Sequence, residues 1–503
     1  MRPGASAPHL ETPLDQIGVL ARDAGEAFVN EQLRPSFATP ELLEEVAVEL
    51  DRRRAELVPV AQAETSLAEE RLDGELTRTV RQLRAFSDLS ATGLERDAII
   101  DTADSSAAPP RPDQRRASVP IGPVAVFSAS NFPFAFSVAG GDSASAWAAG
   151  CPVLLKPHPA HPHTSALTAA AVRDASRRAG APEAWFTMVY GAAFATGQAL
   201  VAADAVEAVA FTGSFAGGTA LARAAAQRDR PIPAYCEMGS TNPVVVTPAA
   251  AGQRGSDIAE GLAAAITGSA GQLCTKPGLL LLVDDPAGRG LARNLRDRLT
   301  RVPRARMLYP EIRERFVVDL ANTAGDPRVQ TLTAYADDSA DTRVGGALLE
   351  VAAAELGNQD LLFEEIFGPA AVIVWCADDR QLAATIGLLP GSLTATVHAA
   401  LEDALGADLI RRLSLRAGRV IYNGYPTGVT VGHATVHGGP HPATTSPSHT
   451  SVGMTAVRRF QRPVGYQNVP DELLPAMLQD ANPLQVPRRV NGVITSAAIN
   501  RSE

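Results

Sequence analysis

From Gly122 onward, short runs of strand-forming residues alternate with alanine-rich stretches, and this alternation restricts the fold more than any other feature of the chain. Val124-Ala125-Val126-Phe127, Pro152-Val153-Leu154-Leu155, Trp185-Phe186-Thr187-Met188-Val189 and Val206-Glu207-Ala208-Val209-Ala210-Phe211 form one series. Ser165 to Ala179 and Ala192 to Ala203 lie between members of that series and are long enough for crossover helices. Such alternation predicts an α/β fold built on a parallel, doubly wound sheet. A second series, Val244-Val245-Val246, Leu279 to Val283 and Ala371-Val372-Ile373-Val374, predicts another α/β domain starting near Asn242.

The first hundred residues read as helical. Thr39-Pro40-Glu41 offers a hydroxyl cap, a first-turn proline and an early acid, and Leu42, Leu43, Val46, Leu50 and Leu57 follow at roughly helical spacing. Asp101 to Arg116 reads as a surface connection, and the chain from Gly439 on, rich in Pro, Thr, Ser and His, as a weakly periodic tail. A chain of 503 residues, 46% apolar and 20% charged, can bury a large core in two or three domains. Its net charge of -10 comes without a basic stripe, which argues against a nucleic-acid partner. The 4 cysteines match no zinc or disulfide spacing and suit a reducing compartment. The N-terminal stretch has no signal-like pattern, and no apolar run approaches the roughly 20 residues of a membrane span. A soluble, cytoplasmic protein without a membrane partner is therefore expected.

Chemistry centres on Gly271-Gln272-Leu273-Cys274-Thr275-Lys276-Pro277-Gly278, which sets a single thiol beside a proline-glycine turn. Upstream stand an acid, in Glu237-Met238-Gly239-Ser240-Thr241-Asn242-Pro243, and an amide, in Ser130-Asn131-Phe132-Pro133-Phe134. Nucleophile, base and oxyanion donor are the parts that covalent attack on a carbonyl requires. Phe211-Thr212-Gly213-Ser214 follows a strand and precedes a helix, where a doubly wound sheet binds nucleotides. His158, His161 and His163 cluster, and His433, His437 and His441 recur at a spacing of four. Prolines at 157, 159, 162, 440 and 442 break any helix that would align them, and no cysteine or acid completes a set. No metal is expected, and these histidines read as loop residues facing solvent or ligand.

Together these motifs resemble the aldehyde dehydrogenase superfamily. The matches, in the family's order, are Asn131-Phe132-Pro133, Lys156-Pro157, Phe211-Thr212-Gly213-Ser214, Glu237-Met238-Gly239-Ser240, Gly271-Gln272-Leu273-Cys274-Thr275 and Glu365-Ile366-Phe367-Gly368-Pro369. The resemblance implies two Rossmann-like domains and a small oligomerisation element, assembled as a homodimer or homotetramer. N-terminal helices and a cofactor domain would occupy 1–241, a catalytic domain 242–438, and 439–503 would return over the cofactor domain or the oligomer interface. It implies Cys274 as nucleophile, Glu237 as general base and Asn131 as oxyanion donor. Lys156, His158, Gly213, Ser214, Glu365 and Phe367 would bind the cofactor, with Glu364 the rival of Glu365 in register. Relatives selective for NAD carry a glutamate three residues after the lysine, where this chain has Pro159. A 2′-phosphate would then be tolerated beside Lys156, with His158 assisting if protonated, so NADP is expected and NAD remains possible.

Four segments look like the 2,5-dioxopentanoate (α-ketoglutarate semialdehyde) dehydrogenases: Ser130 to Ser137 with Gly140-Gly141-Asp142, Gln272 to Gly278, Asn423 to Val429, and His437 to Thr444. They imply oxidation of that aldehyde to 2-oxoglutarate through a thiohemiacetal and a thioester. The alternative is a fatty or other aliphatic aldehyde. Thr427, Thr430, Ser451 and Arg458 are candidates for the polar end of the substrate. An acylating enzyme that passes the thioester to coenzyme A is disfavoured because Glu237 is present.

Overall fold

The computed structural model describes residues 11–334, 343–357 and 360–500. The first sheet has five strands in the order Phe186–Met188, Val153–Lys156, Val124–Phe127, Ala208–Thr212, Ala234–Glu237, all parallel. Alternate residues of its central strand go to opposite faces. Val124 and Val126 join a core with the helices that carry Leu43, Leu83 and Val172, whereas Ala125 and Phe127 pack with Ile17, Leu200 and Ala225. The strand order reverses between Val124–Phe127 and Ala208–Thr212, so the carboxyl ends of those two strands flank a crevice of the kind in which doubly wound sheets bind ligands.

The second sheet has seven strands, and its order runs Gln330–Thr333, Ala347–Ala352, Ala370–Cys376, Leu279–Val283, Val244–Val246, Ser392–His398, Ala417–Tyr422. Only the edge strand Gln330–Thr333 runs antiparallel to its neighbour. A third, mixed sheet pairs Gln461–Gln467 with Gln114–Pro120 and continues through Ile99–Asp101, Arg488–Val490 and Val493–Thr495. The protein is thus an α/β fold with two Rossmann-like sheets and a mixed one. Among the described residues no helix is long and apolar enough to cross a membrane.

Local details depart from the sequence expectations. The helix Thr39–Arg52 is preceded by Ala38, and the Thr39 hydroxyl makes no cap; Pro40 in the first turn supplies the start instead. The helix ends at Arg52, so Leu57 sits on the next helix, Arg54–Thr65. Strand Gln114–Pro120 takes up the end of the expected surface connection. The helix Gly141–Ala149 gave no periodic signal because every one of its residues is buried.

Candidate active site

The chain crosses from the first sheet to the second through Met238–Pro243, between strand Ala234–Glu237 and strand Val244–Val246. Glu237 is therefore held at the carboxyl end of one sheet, beside the entry to the other. Cys274 approaches from the second domain, on the loop between helix Pro248–Thr267 and strand Leu279–Val283. That loop makes a left-handed turn with φ of 52° at Ser269, 54° at Ala270 and 69° at Gly271. A Cβ on Gly271 would stand 2.1 Å from the carbonyl carbon of Gly368, so glycine is required where the two loops cross.

Asn242 clamps the thiol loop, a role the sequence reading missed. Its amide nitrogen donates to the carbonyls of Ser240 at 3.1 Å, Cys274 at 2.8 Å and Lys276 at 3.0 Å. Its amide oxygen accepts from Ser240 Oγ at 3.0 Å and from the Thr394 N–H and hydroxyl at 3.2 and 2.9 Å. The side chain is wholly buried, and its φ of 47° is a conformation that asparagine tolerates better than most residues.

Asn131 follows strand Val124–Phe127, and its amide nitrogen donates to Gln272 O at 3.0 Å, which brings it to the thiol loop. The loop that carries it is closed by a bond from Ala129 N to Phe136 O at 2.8 Å. It is anchored by buried Glu75, whose Oε1 accepts from Phe134 N at 2.8 Å and Ala135 N at 2.9 Å.

His437 completes the cluster and corrects the sequence expectation. It is no solvent-facing loop residue: it is 3% exposed, while His433 and His441 lie at the surface. Its Nε2 stands 3.6 Å from Cys274 Sγ, and its Nδ1 is 2.9 Å from Glu237 Oε2. The ring is fixed by its own backbone, since His437 N donates to Thr450 Oγ1 at 2.8 Å and Ser451 N donates to His437 O at 2.8 Å. Ser451 Oγ also donates to Glu237 Oε2. Donor atoms of Glu237, Cys274 and His437 all lie within 4.8 Å of one another, a set of ligand types that zinc accepts, so an acid and a thiol do complete a set with one of the histidines.

Charge within the cluster is polarised. Burial pushes His437 toward its neutral form, but the Glu237 carboxylate and Cys274 outweigh that and raise it from 6.5 to about 10. Burial pushes the Glu237 carboxyl up, and His437, Ser451 and Arg459 more than offset it, holding it below the ordinary carboxylate value. The resting pair is an imidazolium beside a carboxylate. Among the described residues Glu237 Oε1 has no hydrogen-bond partner, and a cavity of about 20 Å³ bordered by Glu237, His437, Thr444 and His449 has room for about one water.

The residues expected at the cofactor lie around the crevice of the first sheet and at its junction with the second. Lys156 ends its strand opposite Phe127, and its ammonium has no hydrogen bond or ion pair among the described residues. His158 is not the cation that was anticipated: burial first, then His161 and Lys156, lower it to about 3. Its Nδ1 accepts from Ala160 N at 3.1 Å, which leaves a neutral Nε2–H as donor. Gly213 and Ser214 are exposed, and Ser214 Oγ accepts from Gly217 N at 3.2 Å to cap helix Phe215–Ala226. Glu364 points to solvent, whereas Glu365 turns inward against Gly239, with its Oε1 enclosed and unpartnered. Burial raises the Glu365 carboxyl, partly offset by Lys276. Phe367 is half-buried on the same loop. Of the residues suggested for the far end of the substrate, Thr430 and Arg458 are exposed, Thr427 is half-buried, and Ser451 is engaged with Glu237.

A family model described as the aldehyde dehydrogenase family matches residues 14–442. Alpha-ketoglutaric semialdehyde dehydrogenase 2 of Azospirillum brasilense is 45% identical over 475 residues, covering 94% of this chain and 90% of that protein. Alpha-ketoglutaric semialdehyde dehydrogenase of Acinetobacter baylyi is 39% identical over 494 residues, covering 96% and 92%. The proline utilization A (PutA) protein of Bradyrhizobium japonicum shares the fold at a TM-score of 0.76 and 22% identity over 91% of this chain, which spans 45% of that protein's length.

Proposed function

The chain belongs to the aldehyde dehydrogenase family and is an NAD(P)-dependent enzyme of that family, and from that premise we propose that it oxidises 2,5-dioxopentanoate to 2-oxoglutarate with NADP. The observation that carries the chemistry is the line Glu237–His437–Cys274, with Asn131 at the thiol loop. The two relatives above, named for α-ketoglutaric semialdehyde, support the substrate.

In this reading Cys274 loses its proton to solvent, the His437 imidazolium 3.6 Å away favours the thiolate that remains, and the sulfur attacks the aldehyde carbon. The Asn131 amide holds the alkoxide that forms, a contribution typically of about 10²–10³ in rate. NADP, held by Lys156 and Glu365, would supply the hydride acceptor that converts the thiohemiacetal to a thioester. Glu237, held as a carboxylate, then takes a proton from water through its unpartnered Oε1. Hydroxide adds to the thioester, the Cys274 thiolate leaves, and the acid is released. This use of water distinguishes the enzyme from one that hands the acyl group to coenzyme A.

The residues present fit the cofactor. Among the described residues Glu365 Oε1 is a buried acceptor without a partner, suited to ribose hydroxyls, and the Lys156 ammonium has no partner, which suits it to a phosphate. We read the mixed sheet, whose edge strand exposes Val493 and Ile494, as the element through which copies pair into a dimer or tetramer. The test is a substrate panel at fixed NADP, with 2-oxoglutarate measured as product in the absence of coenzyme A. Efficient oxidation of decanal with 2,5-dioxopentanoate left untouched would overturn the proposal in favour of a fatty aldehyde.

A further inference from the structure

Arg78, on helix Glu69–Thr92, is a partly buried cation near the catalytic cluster, and its guanidinium makes no hydrogen bond or ion pair among the described residues. Its Nε is enclosed and unbonded. Its guanidinium carbon lies 5.3 Å from the centroid of the Phe136 ring, and that ring lies 6.3 Å from the ring of His437. His437 in turn stands 3.6 Å from Cys274 Sγ. Phe136 thus lies near both the arginine and, at a tilt of 57°, the histidine that borders the nucleophile.

Other arginines nearby are committed. Arg71, on the same helix, donates to Asn131 O at 2.7 Å, lies 3.4 Å from Glu75 and stacks on Phe132. Arg459 donates to Asp142 at 2.8 Å and to Ser145 at 3.0 Å. Arg419 is half committed. It comes from strand Ala417–Tyr422 of the second sheet and donates to Gly428 O at 3.1 Å and Pro426 O at 2.6 Å, leaving its Nε enclosed without a partner. Burial disfavours the charge on both Arg78 and Arg419; on Arg78 Glu75 offsets this most, followed by Cys274 and Glu237, and on Arg419 Cys274 does.

An unpaired buried guanidinium is costly to maintain and persists where a ligand supplies the missing anion. An alkyl tail in the same place would leave it unpaired, whereas a carboxylate meets it with charge-assisted hydrogen bonds. Resting on the reading that the substrate is an aldehyde with a carboxylate at its far end, we propose that Arg78 forms the anion subsite that holds that carboxylate. It is Arg78 that selects acid-ended aldehydes over uncharged ones of equal length.

The experiment compares 5-oxopentanoate with pentanal, which match in chain length and differ in the terminal carboxylate. The readout is the ratio of their kcat/KM values, which misfolded or inactive protein does not move because it lowers both equally. Wild type should favour 5-oxopentanoate. Arg78→Met should lower that ratio by about 10- to 100-fold, and Arg78→Lys should lower it less, since a point charge replaces a fork. A ratio in Arg78→Met within about threefold of wild type, while wild type retains the preference, overturns the assignment of Arg78 alone. Absence of the preference in wild type overturns the carboxylate substrate and the subsite together.

Discussion

Cys274 and His437 are 163 positions apart in sequence, yet the imidazole Nε2 stands 3.6 Å from the thiol sulfur. Glu237 meets the imidazole on its other side at 2.9 Å. A carboxylate, an imidazolium and a thiol in line form an arrangement in which a cation beside the sulfur favours the thiolate and the carboxylate keeps that cation charged.

Cys274→Ala should abolish aldehyde oxidation, by at least about 10³-fold, with NADP binding retained, because only the nucleophile is lost. Rates with 2,5-dioxopentanoate and cofactor titration by fluorescence check both halves. Turnover near wild type would remove Cys274 from the mechanism.

His437→Ala should lower kcat/KM by about 10²–10⁴-fold and slow alkylation of Cys274 by iodoacetamide at neutral pH. Glu237→Gln should instead spare the first turnover and impair the following ones. A burst of NADPH in a rapid-mixing trace is the expected signature. Loss of the burst would assign Glu237 to thiol activation rather than to thioester hydrolysis.

The raised His437 implies a pH-dependent stability. Its folded value of about 10 lies above the ordinary 6.5, so the folded state holds a proton that the unfolded chain has released between those values. The contribution is complete below about 6.5 and is lost progressively as pH rises through about 10, at roughly 1.4 kcal/mol per pH unit. Urea midpoints of wild type should therefore fall more steeply from pH 7 to 10 than those of His437→Gln. Parallel profiles would show that the ring is neutral in the folded protein.

Asn242→Ala should destabilise the protein by about 3 kcal/mol or more, since it leaves buried carbonyls and hydroxyls of three chain segments without partners. Thermal denaturation measures the loss. A variant with an unchanged Tm would mean that the thiol loop is held by other contacts.

Lys156→Ala should raise KM for NADP by about tenfold and for NAD by less, because the charge acts on the 2′-phosphate. Equal effects on both cofactors would assign Lys156 to the ribose or the pyrophosphate.

Sequence alone determined the fold class and pointed to Asn131, Glu237 and Cys274 as candidate site residues. Apolar runs such as Val124–Phe127 and Leu279–Val283 are strands because they are short, continuous and separated by helix-length stretches, and local pattern carries that information. The motifs around Asn131, Glu237 and Cys274 were legible because each packs rare residue types into a few positions. Tertiary structure alone decided the rest. His437 was indistinguishable from His433 and His441 along the chain, since three histidines at equal spacing differ only in what folds around them. Burial beneath Thr450 and Ser451 and contact with residues far away in sequence made one of them an imidazolium beside the thiol. His158 shows the reverse case, a histidine that burial keeps neutral. Asn242 drew no attention because its hydrogen bonds join segments that meet only when the two sheets come together. Protonation and long-range hydrogen bonds depend on distance and dielectric, and the folded chain sets both.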